Sequence, residues 1–253
     1  MDPTSDSSET TETTADGSFD GPQGPPPGPG ESIGPYRLVR YLGAGGMGLV
    51  YEAIDDELGD RVAIKTLSRL DPWRLFRLKQ EFRTLAGIRH DNLVRHEALV
   101  VADGTWFLAM EYVAGVRLTD AVKADPSRLR PVLAQLAGGV RALHAAGVVH
   151  RDLKPANVLV EPGGRVVILD FGLAQSAAAG AAPTRRSPAG TPGYIAPELA
   201  EGAAPSPASD WFAVGVILFQ LLTGELPGAR RRPGPAPRRP ARPRRPVRGA
   251  ART

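Results

Sequence analysis

The stretch His150-Arg151-Asp152-Leu153-Lys154-Pro155-Ala156-Asn157 decides how the rest of the chain is read. Before it, Val132, Leu136, Val140 and Leu143 recur at helical spacing and stop at Gly147. After it, Val158 to Val160 and Val166 to Leu169 read as two short strands. The second runs directly into Asp170-Phe171-Gly172. An Asp after an apolar strand is often only a turn former, so neither stretch decides anything alone.

Three further stretches lie in a fixed order around these two. Leu42-Gly43-Ala44-Gly45-Gly46-Met47-Gly48-Leu49-Val50 carries G-x-G-x-x-G between two expected strands. Glycines there let the backbone approach phosphates and point N–H groups at them. A dinucleotide-binding fold would need a helix right after this loop, but a strand follows. Val62-Ala63-Ile64-Lys65 comes next, and puts a cation where it could pair with phosphate oxygens. Glu81, on a following helical pattern of Leu75, Leu78, Phe82, Leu85 and Ile88, could hold that lysine by a charge-assisted bond. The last stretch is Gly190-Thr191-Pro192-Gly193-Tyr194-Ile195-Ala196-Pro197-Glu198. Five such stretches in this order do not read as chance.

Together they resemble the protein-kinase signature set of Gly-rich loop, strand lysine, H-R-D-L-x-x-x-N, D-F-G and A-P-E. The likeness runs from Tyr36 to Gly224, and the Gly-rich loop is similar to that of bacterial eukaryotic-like (Hanks-type) serine/threonine kinases. The resemblance implies an α+β, two-lobed fold. A small β-rich N-lobe with one helix would span about 36–112 and a mainly helical C-lobe about 113–228. The residues agree: strands are expected over Tyr36 to Leu42, Leu49 to Ile54, Arg61 to Leu67, Leu99 to Val101 and Trp106 to Glu111, and helices dominate after Gly115.

The resemblance also implies roles. The loop from Leu42 to Val50 would cover the phosphates of ATP. Lys65, paired with Glu81, would hold them. Asp152 would accept the proton of the attacking hydroxyl, and Lys154 would steady the transferred phosphoryl group. Asn157 and Asp170 would hold Mg²⁺, with Mn²⁺ as a substitute. Met110-Glu111-Tyr112-Val113 resembles the segment joining the lobes. Met110 would stand at its gate, and the backbones of Glu111 and Val113 would bond adenine. Val50, Ala63 and Leu159 would sandwich the ring. Lys154 and the Thr191 stretch resemble enzymes that phosphorylate Ser and Thr, so the implied partner is a protein with such an acceptor. Thr184 and Ser187, flanking Arg185-Arg186, are the candidate phosphosites that Arg151 would grip.

Composition fits one two-lobed unit. The chain has 253 residues, 42% of them hydrophobic, and no cysteine, which excludes disulfides and thiolate metal sites. Residues 1–35 hold seven acidic residues and no basic one, and end in Gly and Pro. They read as disordered. Residues 229–253 hold ten Arg and no acid. Between these ends stand 21 basic and 20 acidic residues, so the net charge of +4 belongs to the tail and implies no nucleic-acid partner. No signal peptide or membrane span is visible, since a span needs about 20 apolar residues. A cytoplasmic setting is the default, and oligomeric state is left open.

The family pattern breaks after Leu226-Pro227. An Arg/Pro-rich tail stands where the family continues with more helices, so the C-lobe is expected to be incomplete, by truncation or by a shifted reading frame. Two functions compete. One is ATP-dependent transfer to Ser/Thr hydroxyls, with autophosphorylation. The other is a catalytically inactive binding or scaffold protein of kinase fold.

Overall fold

A computed structural model describes residues 28–45, 48–67, 79, 82–83, 85–102, 105–170 and 190–228. Six strands form one antiparallel sheet: β1 (Ser32–Ile33), β2 (Tyr36–Gly45), β3 (Gly48–Asp55), β4 (Arg61–Leu67), β5 (His96–Ala102) and β6 (Thr105–Glu111). Their order is β1-β2-β3-β4-β6-β5. The strands are rich in Val, Ile, Leu and Tyr, which suit a half-buried pleated surface. Because side chains alternate across the sheet, β4 faces two ways. Val62 and Ile64 join Ile33, Tyr36, Leu38, Tyr51 and Phe107 in one buried cluster. Ala63 joins Met110, Leu108 and the larger cluster beneath.

The expected strand Arg61 to Leu67 matches β4 residue for residue. The acidic N-terminal segment needs a correction at its inner end. Ser32–Ile33 pairs with Arg37 and Tyr36, and Ile33 is buried. The ordered fold therefore begins before residue 36, because one apolar side chain beside Tyr36 is enough to close the edge of the sheet. Of the helical pattern between Leu75 and Ile88, Phe82, Arg83, Leu85 and Ala86 are helical, and Leu85 is buried. Leu75 and Leu78 lie outside the described residues.

Beyond Glu111 come β7 (Val116–Arg117), α1 (Leu118–Ala124), α2 (Leu129–Ala145), β8 (Val158–Val160), β9 (Val166–Ile168), α3 (Pro197–Ala200) and α4 (Pro207–Thr223). Strands β7, β8 and β9 make a second small antiparallel sheet. Helix α2 buries Val132, Leu136, Val140 and Leu143, each worth roughly 1.5–3 kcal/mol when removed from water. It ends where expected. Gly147 takes a left-handed φ of 73°, and Val148 N–H closes onto Leu143 O at 3.0 Å.

Two features dock α2 against β9. A Cβ on Gly139 would stand 2.7 Å from Ile168 Cδ1 and 3.0 Å from Asn92 O, so only glycine permits this approach. Nearby, Asn92 Nδ2 donates to Gln135 Oε1 (2.9 Å) and Val166 O (2.7 Å), so the buried amide is satisfied.

Helix α4 starts at Pro207. Ser206 caps it: its hydroxyl accepts from Ser209 N, while Ser209 Oγ accepts from Ser206 N, with Pro207 at the first helical position. One face of α4 is buried through Ala213, Val216 and Ile217. Trp211, Phe212, Leu218, Phe219 and Leu222 are exposed. No helix among the described residues is long and apolar enough to cross a membrane.

Candidate active site

The glycine loop is the tip of the β2–β3 hairpin, with Gly43 opposite Val50, Ala44 opposite Leu49 and Gly45 opposite Gly48. Gly46 and Met47 lie outside the described residues. Leu49 N–H donates to Thr66 Oγ1 at 2.8 Å, which ties the tip to β4. Val50 pairs with Lys65 and Ala63 pairs with Met110. Ala63 and Lys65 are two apart, so they share a face. Ala63, Met110 and Val113 are buried, Val50 and Leu159 pack half-exposed against the same cluster, and Leu42 is exposed. The residues expected around a flat ring therefore converge below the hairpin.

Lys65 is buried, and its Nζ stands 2.6 Å from Asp170 Oδ1. Glu81, the partner expected from the sequence, lies outside the described residues. Asp170 lies two residues past the end of β9 and has a left-handed φ of 54°, a sparsely populated conformation that persists only where its surroundings hold it. The holding contacts run through Leu169. Its N–H donates to Asn157 O at 2.8 Å, and its O accepts from His150 Nε2 at 3.0 Å.

His150 thereby carries its proton on Nε2, which leaves Nδ1 to accept from Asp152 N at 3.3 Å. Burial lowers its pKa, against the raising effect of the Asp210 carboxylate, so the ring is neutral. Asp210, at the start of α4, is buried. It accepts from His150 N (2.8 Å) and Arg151 N (2.9 Å) and contacts His144 Nε2 (2.8 Å). Arg151, like Asp170, has positive φ, at 73°. Its buried Nε has no hydrogen-bond partner among the described residues.

Asp152 is the hub of the second cluster. Its Oδ1 accepts from Thr191 N (3.0 Å) and Thr191 Oγ1 (2.8 Å), and its Oδ2 accepts from Lys154 Nζ (2.7 Å). Lys154 Nζ also donates to Thr191 Oγ1 at 2.7 Å. Asn157 Nδ2 donates to Asp152 O at 2.9 Å, which leaves its Oδ1 as an acceptor that could ligate a cation. Thr184 and Ser187 lie outside the described residues. On α3, Glu198 makes no ion pair among the described residues.

Sequence reasoning missed His96. It is buried at the start of β5, with the charges of Lys65 and Asp170 acting on it. No local pattern marks a histidine in such a strand. It also missed the side chain of Glu111. Arg165 Nη1 and Nη2 donate to its two carboxylate oxygens at 2.6 and 3.3 Å.

This fold and this convergence of Lys65, Asp152, Asn157 and Asp170 define a class. The chain belongs to the protein kinase domain family, whose family model matches residues 36–234. Among its relatives, the serine/threonine-protein kinase PknA of Mycobacterium tuberculosis is 41% identical over 208 residues, covering 78% of this chain and 48% of that protein. The serine/threonine-protein kinase PrkC of Bacillus subtilis is 33% identical, covering 77% of this chain and 31% of that protein. The chain thus spans about half, or less, of the curated relatives it matches. A crystal structure of Rad53 1-466 in complex with AMP-PNP superposes with a TM-score of 0.62 at 27% identity. The match covers 76% of this chain and 49% of that one.

Proposed function

We propose that the chain is an ATP-dependent protein kinase that transfers the γ-phosphate to Ser and Thr hydroxyls of proteins, itself included. The observation that carries this reading is the Asp152–Lys154–Thr191 triangle, bonded through Asn157 and Leu169 to the Lys65–Asp170 pair. The small lobe runs from Ser32 to Tyr112 and the large lobe from Val113 to Gly228.

In this reading the substrate hydroxyl oxygen attacks the γ-phosphorus. Its proton passes to the Asp152 carboxylate, and ADP leaves. Lys154 lies beside both Asp152 and Thr191, where it neutralises charge on the phosphoryl group in flight. Lys65 holds the phosphates under the hairpin of Gly43, Gly45 and Gly48. The backbones of Glu111 and Val113 bond adenine, and Val50, Ala63 and Leu159 enclose it. Catalysis of this kind is positioning and charge stabilisation, so the fixed hydrogen bonds around Asp152 are the contribution the chain makes.

The donors fit a hard divalent cation. Asn157 Oδ1 and the Asp170 carboxylate are oxygen ligands. Among the described residues no group of three or more His, Cys, Asp or Glu could hold a metal alone. Mg²⁺ takes one or two protein oxygens and completes its shell with phosphates and water; Mn²⁺ can replace it. When bound, the metal neutralises the phosphate charge. Arg151, whose buried Nε has no hydrogen-bond partner among the described residues, is the group that would grip a phosphate on Thr184 or Ser187. A cytoplasmic setting with a Ser/Thr-bearing protein partner completes the proposal.

A second reading, a kinase-fold binding protein without turnover, is favoured by one observation. Five large apolar side chains of α4 are exposed, so among the described residues the helix under the catalytic loop is buried on one face only.

The test is phosphoamino-acid analysis of a mixed protein acceptor after incubation with ATP and Mg²⁺. Phosphoserine and phosphothreonine that disappear with a chelator are expected. Phosphotyrosine alone, or nucleotide binding with no transfer, would overturn the reading.

A further inference from the structure

The segment between the lobes is gripped on adjacent residues from opposite sides. From the C-terminal side, Arg165 holds the Glu111 carboxylate while its Nε donates to Asp91 O at 2.7 Å. From the small-lobe sheet, two guanidiniums hold Tyr112. Arg40 Nη2 donates to its hydroxyl at 2.9 Å. Arg61 lies over its ring, 4.4 Å from the centroid.

Both guanidiniums are tied to one carboxylate. Arg40 Nε donates to Glu52 Oε2 at 2.7 Å and Arg61 Nε to Glu52 Oε1 at 2.8 Å, with Arg61 Nη2 on the same oxygen. Glu52 is 3% exposed, whereas the side chains of Arg40 and Arg61 are 57% and 53% exposed. Burial raises the Glu52 pKa, but the bonds and charge of Arg61, then the Tyr112 hydroxyl and the charge of Arg40, outweigh it and hold the carboxyl below its ordinary value. An exposed arginine alone would be loosely held and screened. The buried carboxylate on β3 is what orients both.

We propose that Glu52, Arg40 and Arg61 form a positioning set that fixes Tyr112, and with it the backbone of Glu111 and Val113, against the small-lobe sheet. The set thereby tunes nucleotide affinity. It rests on the reading of that backbone as the adenine contact. None of its members touches the phosphates or the reacting hydroxyl, so its effect falls on KM for ATP and not on the chemical step.

Tyr112→Phe removes the Arg40 bond and keeps the ring under Arg61. Glu52→Gln keeps the shape and removes the charge both arginines share. Hydrogen–deuterium exchange on the full chain without nucleotide should accelerate by roughly fivefold in the peptide over residues 109–115 in both variants, about the net worth of one hydrogen bond. The strands β8 and β9 should be unchanged. The Kd for Mg-ADP should rise by a similar factor, and KM for ATP should follow while kcat holds. Because both substitutions break the same connection, their effects should not add in the double variant. If Glu52→Gln fails to fold, Tyr112→Phe alone decides. Wild-type exchange and unchanged Kd in the variants would overturn the proposal, as would acceleration spread evenly over the sheet. A wild-type chain that binds no ADP would remove the adenine reading, and the exchange result would still decide whether the set holds Tyr112.

Discussion

Lys65 Nζ and Asp170 Oδ1 stand 2.6 Å apart, joining β4 to the segment just past β9 across 105 positions of sequence. The lysine is buried and the carboxylate about a third exposed, so the pair opens on one side. That asymmetry suits a cation that must turn toward incoming phosphates. Lys65→Met, which keeps the stem and removes the charge, should lower phosphoryl transfer by ~100-fold or more, the size seen when one charge-stabilising donor is lost. Thermal unfolding should move little, because the partner carboxylate still reaches solvent. Turnover within a few-fold of wild type would contradict this role.

Thr191 binds both Asp152 and Lys154 through one hydroxyl. Thr191→Ala should cost about tenfold in kcat, the order of a lost charge-assisted bond, and Thr191→Ser should restore most of it. Equal rates for the Ala and Ser variants would show that the hydroxyl is not what orients the pair.

The motif-bearing half of this site was legible in sequence because each candidate catalytic group sits inside a short contiguous pattern. Asp152, Lys154 and Asn157 lie within one loop, and Asp170 ends a strand that reads plainly as Val-Val-Ile-Leu. The parts that escaped depend on contacts between distant residues. Nothing near Glu52 announces that it is buried against two arginines, and nothing near Tyr112 says that it receives them. The β1 strand is two residues long, below any usable period. The start of α4 carries no plain mark either, because its Ser-x-x-Ser capping box lacks the usual Glu or Gln.

Asp210 accepts two backbone N–H groups, from His150 and Arg151, and contacts His144. In Asp210→Asn one oxygen becomes an NH₂ group that meets donors instead of accepting from them. The variant should lose about 2–3 kcal/mol of stability by urea unfolding, the penalty for leaving buried donors unpaired. Turnover should fall as well, since Arg151 is held in a left-handed conformation by this contact. A variant as stable as wild type would show that the catalytic loop is braced elsewhere.

Acid should destabilise the fold through its buried histidines. Burial lowers the His96 pKa to about 4, with Asp170 opposing and Lys65 adding to the fall, and burial also lowers that of His150. In the unfolded chain a histidine titrates near about 6.5. Between these values the unfolded state binds the extra proton, so stability present above about pH 6.5 is lost as the pH falls toward 4. For His96 the full loss is roughly 3 kcal/mol. Denaturation at a series of pH values should show a shallower acid slope in His96→Leu. An unchanged slope would exclude His96 as its source.

Helix α4 should respond unequally around its circumference. Ile217 is fully buried and Leu222 is 64% exposed. Ile217→Ala should cost about 2–5 kcal/mol, and Leu222→Ser should stay within about 0.5 kcal/mol. A large loss from Leu222→Ser would mean that the exposed face is covered in solution.

The most direct test of the kinase reading is the initial rate of phosphate transfer from ATP with Mg²⁺, onto the chain itself and onto a generic protein acceptor, beside Asp152→Asn. The account predicts transfer by the wild-type chain and its near-complete loss in a variant that still folds and binds ATP. Equal rates in the two proteins, or no transfer by a wild-type chain that is folded and nucleotide-bound, would contradict it.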